Sequence, residues 1–109
     1  PALPALLSID EPEVVGIEQF SLYQNFPNPF NPTTTIRYFL TDPGEVELNI
    51  YDIKGQLIKT LVSSPQMSGY HDIVWNGYSA SGLAVETGIY LAQIKVGTSS
   101  DVIKMIYLK

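Results

Sequence analysis

The sequence predicts an all-β protein with an immunoglobulin-like fold, an antiparallel β-sandwich of about seven strands. Short segments in which apolar and polar residues alternate recur at regular spacing, and turn residues separate them. No segment shows the apolar spacing of a helix. The 109 residues include seven tyrosines, eight glycines and eight prolines, a composition that favours strands and turns over helices.

Two parts of the chain are predicted to differ in organisation. Residues 1–19 contain prolines and an acidic patch, which predict an extended linker or an N-terminal strand segment, whereas residues 20–109 are predicted to form the sandwich. The apolar residues of the first part leave two alternatives open: a plain linker, or an extended strand that packs on a sandwich surface of its own subunit or of a neighbour. These apolar residues are Leu3, Leu6, Leu7, Val14 and Val15.

The first strands follow from alternation and from the turns between them. FSLYQ at 20–24 predicts a short strand, and 33–40 places alternate apolar residues on one face. TDPG at 41–44 has proline at the second position, which type I and type II turns prefer. The segment 45–51 alternates between apolar and polar residues without a break, and DIKG at 52–55 predicts a tight turn that ends in glycine.

The second half of the chain continues the pattern. We predict a strand at 56–62, a loop at 63–69, a strand at 70–77 and a long polar loop at 78–87. The chain is predicted to end in a closing hairpin made of strands 88–96 and 101–109 and the turn 97–100. From their period of two, the predicted core residues are Phe30, Ile36, Tyr38, Val46, Leu48, Ile50, Ile73, Trp75, Tyr90 and Ile94.

The stretch QNFPNPFNPTT, from Gln24 to Thr34, contains three prolines and three asparagines. Proline cannot donate to a ladder and holds the residue before it extended. We therefore predict a rigid crossing from the first strand to the second, nearly free of backbone hydrogen bonds, in which asparagine side chains bond nearby backbone groups. Phe26 and Phe30 are predicted to plug one end of the sandwich.

The last two strands carry apolar residues on both faces, although a sandwich strand should bury only one. The surplus needs a cover from the N-terminal segment, an adjacent domain or another subunit. The last strand is also expected to offer an edge with unpaired backbone, as strand addition requires. Its two apolar faces consist of Val102, Ile106 and Leu108 on one side and Ile103, Met105 and Tyr107 on the other.

Charge and residue content exclude several classes of function. The net charge is −5 and the six basic residues stand singly, so we expect no nucleic-acid partner and no membrane insertion. Cysteine is absent and His71 is the sole histidine, so we expect no enzyme activity and no cofactor. The loop oxygens of Asn76, Ser79 and Ser81 fit either a calcium site or a polar turn. The lack of carboxylates before Glu86 favours the turn, and we expect no metal.

Several motifs fall in an order that resembles a known family. Four stretches resemble the C-terminal sorting domain of proteins exported by the type IX secretion system. They are NFPNPFNPTTTIRYFL, VELNIYDIKGQLIKTL, GYHDIVWNGYSASGLAVETGIYLAQIKVG and the final IKMIYLK. The immunoglobulin-like domain of flagellar hook-capping proteins shares this signature. The resemblance covers about residues 20–109. The loop after Trp75 departs from it, because family members often carry acidic residues where this chain has Tyr78 and serines. The matching motif residues are Pro27, Asn28, Pro29, Phe30, Tyr51, Asp52, Gly55, Trp75, Asn76, Gly77, Gly88, Tyr90, Lys104 and Lys109.

The resemblance implies a non-catalytic module at the end of a larger secreted protein, located outside the cell or on the bacterial surface after passage through the periplasm. Its implied partner is the outer-membrane secretion machinery, which recognises such domains and often removes them from the passenger. The alternative is a structural assembly module, hook-cap-like or a subunit of an extracellular polymer, with an adjacent passenger domain or a second copy of the chain as partner. A signal read at a chain terminus must be exposed there. The predicted sorting or interaction residues are therefore those of the closing hairpin: Gly88, Tyr90, Ile103, Lys104, Met105, Tyr107 and Lys109.

Overall fold

The structure, a computed structural model, describes residues 20–109. This part of the chain forms β1 (Phe20–Leu22), β2 (Thr34–Leu40), β3 (Gly44–Asp52), β4 (Leu57–Gln66), β5 (Gly69–Trp75), β6 (Gly88–Val96) and β7 (Ser99–Tyr107). It contains no helix long and apolar enough to cross a membrane. The predictions for residues 1–19, a linker or an extended strand, lie outside the described residues.

Two antiparallel sheets enclose the core. The smaller sheet has the strand order β1–β2–β5 and the larger sheet the order β4–β3–β6–β7. The predicted fold class, an immunoglobulin-like sandwich of seven strands, is confirmed. Strands β6 and β7 form the predicted closing hairpin, in which Gly88 lies opposite Tyr107 and Val96 opposite Ser99. The turn is shorter than predicted, because Ser99 and Ser100 already belong to β7.

The core consists mostly of the alternate residues that the sequence predicts. Trp75, Tyr38 and Phe30 are its largest fully buried side chains. Ile73 is a correction: it is only partly buried and packs against the core from β5, an edge strand with a neighbour on one side alone. The confirmed members are Phe30, Ile36, Tyr38, Val46, Leu48, Ile50, Trp75, Tyr90 and Ile94.

The predicted loop at 63–69 is mostly strand. Strand β4 continues to Gln66, and β5 begins at Gly69. β4 lies at the edge of the larger sheet, where polar residues can face solvent and a proline without an N–H group is tolerated. Pro65 accordingly lies in the ladder opposite Glu45. The serines and the proline therefore mark an edge strand and not a loop.

Candidate functional site

The proline-rich segment QNFPNPFNPTT connects the edges of the two sheets. Phe26 and Thr35 exchange backbone hydrogen bonds of 3.0 and 2.9 Å, which extend the pairing of β1 with β2. Four residues later, the N–H of Phe30 donates to the carbonyl of Ile106 at 2.9 Å, and its carbonyl accepts from the N–H of Leu108 at 3.1 Å. The prediction of a crossing nearly free of backbone hydrogen bonds is therefore wrong, because the segment pairs with β2 at one end and with β7 at the other.

Side chains of the same segment complete a cover over part of the outer edge of β7. The side-chain oxygen of Asn28 accepts the N–H of Ile106 at 2.9 Å. The side-chain amide of Gln24 donates to the carbonyl of Lys104 at 2.7 Å. The expected open edge is thus closed along the C-terminal half of β7. Among residues 20–109 no further strand pairs with β7 at 99–103, where the N–H of Val102 donates to the Asp101 side chain at 2.8 Å.

Buried polar side chains fix the conformation of the proline-rich segment. Asn25 and Thr34 are both almost fully buried. The Asn25 amide donates to the carbonyl of Pro27 at 3.1 Å and to the Thr34 hydroxyl at 2.9 Å, and this hydroxyl donates to the same carbonyl at 2.9 Å. The peptide bonds that precede Pro27, Pro29 and Pro32 are cis. The prediction that asparagine side chains bond nearby backbone groups is confirmed for Asn25, whereas the Asn28 side chain bonds the distant strand β7.

The two phenylalanines of the segment have opposite environments. Phe30 is 2% exposed and plugs one end of the sandwich as predicted. Phe26 is 80% exposed, so the prediction that it is a second plug is wrong. The physical reason is register: Phe26 lies opposite Thr35, and opposite residues on paired strands share a face. Since both neighbours of Thr35 in β2, Thr34 and Ile36, are buried, the face that Thr35 shares with Phe26 is the outer one.

Four aromatic side chains meet at one end of the sandwich, and we call them the aromatic end: Phe30, Trp75, Tyr90 and Tyr107. The Phe30 ring stacks on Tyr107 with centroids 4.9 Å apart and lies 5.7 Å from Trp75. Trp75 in turn meets Tyr90 edge-on at 5.5 Å. The indole N–H donates to the carbonyl of Tyr78 at 3.0 Å, so the polar atom of the buried ring has a partner. Three motifs that are distant in sequence thus converge on one cluster.

Gly77, which follows Trp75 by two residues, lies where these motifs converge. Its φ of 76° lies in the left-handed region, where side chains other than glycine are strained. A Cβ atom there would lie 3.4 Å from the carbonyl oxygen of Pro32 and 3.4 Å from the Tyr107 ring. The tryptophan–asparagine–glycine motif therefore has a packing role beside the proline-rich segment.

The tyrosine–aspartate motif closes the turn between β3 and β4. A side-chain oxygen of Asp52 accepts the N–H groups of Lys54 and Gln56, both at 2.9 Å. Gly55 has a φ of 86° and donates to the Asp52 carbonyl at 3.0 Å. Since Asp52 lies opposite Tyr90 in the sheet, this turn lies at the aromatic end.

The loop after Trp75 is a polar turn whose oxygens bond within the loop. The Ser79 and Ser81 hydroxyls lie 2.9 Å apart, and the N–H of Leu83 donates to Ser79 at 3.3 Å. The side chain of Asn76 accepts the N–H of Tyr78 at 3.2 Å. Within residues 20–109, no three histidine or acidic side chains come together in a way that could hold a metal ion.

A groove on the outer face of the smaller sheet was not predicted from the sequence. It encloses about 490 Å³, and its lining includes Tyr23, Phe26, Arg37, Tyr70 and Asp72. Alternation places these β2 and β5 residues outward, but only the register of the two strands brings them together. Knowledge of that register is the signal that could have revealed the groove.

An ion pair forms the floor of this groove. Arg37 lies directly opposite Asp72, and its guanidinium donates from Nε and Nη2 to the two carboxylate oxygens at 2.8 and 3.1 Å. The hydrogen bond from Arg37 lowers the pKa of the Asp72 carboxyl below its ordinary value, and the same contact raises the pKa of Arg37. Both side chains are about half exposed, so the pair remains accessible to a ligand.

Comparison with known proteins gives the family. A family model described as the FlgD Ig-like domain matches residues 31–100, well over half of the chain. The chain belongs to the FlgD Ig-like domain family. A comparison with curated proteins found no match.

Solved structures show where else this Ig-like domain fold occurs. The domain is similar to dimeric latent PorU from Porphyromonas gingivalis, with 25% identity and a TM-score of 0.68 over 87% of the chain. It shares the fold of PorZ from the same organism (22% identity, TM-score 0.58, 81% of the chain) and of FlgD from P. aeruginosa (20%, 0.54, 82%). It spans 10% of the PorU chain, 11% of PorZ and 67% of FlgD. The resemblance to both predicted families is confirmed.

In this Ig-like domain the predicted interaction residues of the closing hairpin lie on two faces. Tyr90, Met105 and Tyr107 point into the core and are buried, so a partner of the folded domain cannot reach them. This corrects the prediction for these three residues. The reason is that Tyr90 lies on the core-facing, even-numbered side of β6, and Met105 and Tyr107 lie on the core-facing, odd-numbered side of β7. Of the remaining four, Gly88 and Ile103 are half-buried, and Lys104 and Lys109 are exposed.

The opposite, solvent-facing side of the hairpin carries the surplus apolar residues. Ile89, Val102 and Leu108 are 36%, 46% and 49% exposed, and Ile106 is half-buried among them. Lys104 lies between Val102 and Ile106 on the same face of β7. We call these five residues the hairpin strip.

Proposed function

We propose that the chain is a non-catalytic sorting and surface-anchoring module at the C-terminal end of a secreted bacterial protein, recognised by the type IX secretion machinery. The observation that carries this proposal is the hairpin strip, an exposed row of apolar residues with Lys104 in its middle. Similarity to PorU and PorZ supports the proposal, because PorZ is described as an essential surface component of that system and the domain spans about a tenth of each chain.

The hairpin strip has the character of a protein contact. Exposed apolar residues that lie together and are bordered by polar ones are typical of interaction sites. The chain has a net charge of −5, so the lysines of the closing hairpin stand out against an acidic background. The complementary surface on the secretion machinery is an apolar groove with an acidic side chain beside it.

The proline-rich segment supports this role by holding the strip in place. Its backbone and side-chain bonds to Ile106, Leu108 and Lys104 fix the C-terminal half of β7. A surface that is already ordered loses less conformational entropy when it binds, so a fixed strip favours affinity. In this proposal the domain acts as the ligand of the machinery and performs no chemistry.

Export of a reporter tests the proposal. Residues 1–109 are fused to the C-terminus of a fluorescent protein that carries a signal peptide, in a bacterium with a type IX secretion system. Leu108→Asp and Lys104→Glu are expected to leave the reporter in the periplasm. Leu83→Asp and Lys54→Glu are the matched controls, because they make the same changes at exposed residues outside the closing hairpin. Reporters with these changes are expected to be exported.

The intact mass of the exported reporter then shows whether residues 20–109 are retained or removed, and circular dichroism melts exclude unfolded variants. A wild-type fusion that stays in the periplasm contradicts the proposal, as does normal export of both hairpin variants.

A second candidate function is an assembly module that contacts an adjacent passenger domain or a second copy of the chain. The observation that favours it is the edge at 99–103, which carries the exposed Val102 and which no strand among residues 20–109 covers. An edge with exposed apolar side chains can accept another strand. Light scattering is expected to show a mass that rises with protein concentration in the wild type and stays monomeric in Val102→Asp. A monomer at all concentrations counts against self-assembly.

A further inference from the structure

The groove over the Arg37–Asp72 pair has no part in the proposed function. It lies on the outer face of the smaller sheet, whereas the hairpin strip lies on the larger sheet. Its volume of about 490 Å³ is in the usual range for small-ligand sites. The groove crosses β2, between β5 on one side and the segment that follows β1 on the other.

Two tyrosines from opposite sides of β2 meet at one end of the groove, where their rings form a wall. The rings of Tyr23 and Tyr70 have centroids 6.3 Å apart and an angle of 35° between their planes. They remain 41% and 63% exposed, so their surfaces are available to a ligand. The Phe39 ring contacts Tyr70 at 4.8 Å and supports its position on the sheet. The wall is therefore partly preorganised.

Phe26 stands at the opposite end of the groove. Its ring is 80% exposed, while its backbone is fixed by two hydrogen bonds to Thr35. Thr35 and Phe39 are four residues apart on β2, a distance of about 13 Å at the usual rise of a strand. The aromatic rings thus border a trough long enough for a short chain of sugar rings.

The floor of the trough presents donors and acceptors side by side. The ion pair occupies two of the five N–H groups of Arg37 and leaves three for a ligand. The Asp72 carboxylate keeps acceptor sites of its own. The Arg37 guanidinium also lies 5.4 Å from the centroid of the Tyr70 ring, so the polar and aromatic surfaces adjoin.

We propose that this groove binds a neutral glycan. The apolar face of a sugar ring stacks on the exposed tyrosine and phenylalanine rings, and its hydroxyls bond to Arg37 and Asp72. A hydroxyl both donates and accepts, so a ligand rich in hydroxyls satisfies a guanidinium and a carboxylate placed next to each other. The ion pair has no net charge and therefore favours a neutral sugar over a charged one.

Two other occupants fit the groove less well. A proline-rich peptide can stack on aromatic rings, but proline has no N–H to offer the carboxylate. A second copy of the chain would bury the exposed ion pair against an acidic protein, at a cost in desolvation. The glycan is the occupant that uses both the rings and the floor.

Affinity electrophoresis of the full chain tests the proposal, with yeast mannan, laminarin, galactomannan or dextran cast separately in native gels. At least one polysaccharide is expected to retard the protein. Tyr70→Ala is expected to weaken that binding at least about tenfold, as the loss of a stacked ring predicts, while Tyr70→Phe retains most of it. Asp72→Asn is also expected to weaken binding. Tyr78→Ala, which removes a ring 45% exposed on another loop, is the matched control and is expected to bind like the wild type.

The proposal is overturned if none of the four polysaccharides retards the protein, or if Tyr70→Ala and Tyr78→Ala bind alike. Two further measurements address the competing occupants. The peptide PALPALLSIDEPEVV is titrated against the ¹⁵N-labelled domain. If the amide resonances of the groove residues shift with the peptide and no polysaccharide binds, the groove is assigned to a peptide. A dimer in sedimentation that Tyr70→Ala dissociates assigns the groove to a second copy. Thermal melts of all variants, followed by circular dichroism, check that each variant is folded.

Discussion

The hydroxyl of Tyr38 is buried and has no hydrogen-bond partner among residues 20–109. A buried polar group without a partner costs roughly 1–3 kcal/mol. Tyr38→Phe removes this group and keeps the ring, so we expect the free energy of unfolding to rise by about 1 kcal/mol in urea denaturation. Tyr90→Phe is the matched control, because its hydroxyl donates to the Glu86 carbonyl at 2.7 Å and its loss is expected to destabilise. A loss of stability in Tyr38→Phe contradicts the prediction.

The same two tyrosines predict a dependence on alkaline pH. Burial raises the pKa of Tyr38, and burial together with the negative charges of Asp52 and Glu86 raises the pKa of Tyr90. Above the ordinary tyrosine pKa of about 10 the unfolded chain loses protons that the folded domain keeps, so the free energy of unfolding falls as pH rises. Urea denaturation from pH 8 to 11 is expected to show this fall, with a shallower slope in Tyr38→Phe. A slope that Tyr38→Phe leaves unchanged would contradict this account.

Trp75 is the largest fully buried side chain of the domain. Its replacement by alanine leaves a cavity at the aromatic end, and we expect a loss of about 3–5 kcal/mol in the free energy of unfolding. Tyr78→Ala, at an exposed ring nearby, is expected to change stability by less than about 0.5 kcal/mol. A loss below about 1 kcal/mol for Trp75→Ala would mean that the ring is not part of the core.

At the scale of elements, the proline-rich segment contains two phenylalanines whose contributions to stability can be compared directly. Phe30 and Phe26 are the same residue type in one segment, yet 2% and 80% exposed. Phe30→Ser is expected to cost about 4 kcal/mol in the free energy of unfolding, through lost burial and an unpaired hydroxyl. Phe26→Ser is expected to cost less than about 0.5 kcal/mol. Denaturant melts of the two variants measure the difference, and equal losses would refute the assigned environments.

Strand positions could be read from the sequence wherever one face of the strand is buried. The β6 boundaries, Gly88–Val96, agree with the prediction because tyrosine, alanine, isoleucine and valine alternate toward the core. Strand β4 was predicted too short because its last residues are polar and include Pro65. Such residues fit in a strand at this point because β4 lies at the edge of its sheet. Composition indicates burial, but it does not reveal which strand lies at an edge.

The candidate sites were less predictable than the strands. Alternation shows that Met105 and Tyr107 lie on the opposite face of β7 from Val102, but it does not show which face is buried. The buried face is the one that meets the other sheet. The groove depends on the pairing of Arg37 with Asp72, residues 35 positions apart. Long-range register is a property of the folded domain, and a single sequence does not contain it in readable form.

At the scale of the whole molecule, the N-terminal segment remains a prediction. Residues 1–19 lead into β1, whose first residue, Phe20, pairs with Leu40. If the segment packs on its own sandwich, deletion of residues 1–15 lowers the melting temperature and leaves the monomer mass unchanged in light scattering, which is the result we expect. Loss of self-association instead assigns the segment to a neighbour. If neither quantity changes, the segment is a plain linker.

The pairing between the proline-rich segment and β7 has a mechanical consequence. The bridge between Phe30 and Tyr107 is parallel, so a segment near the start of the domain runs alongside the last strand in the same direction. A force that pulls the two ends of the domain apart therefore slides these segments past each other. The bonds that join Asn28 and Phe30 to Ile106 and Leu108 bear the load together and do not open one after another. A domain tethered through its ends, with cargo on one side and an anchor on the other, thereby meets tension with a joint loaded in shear.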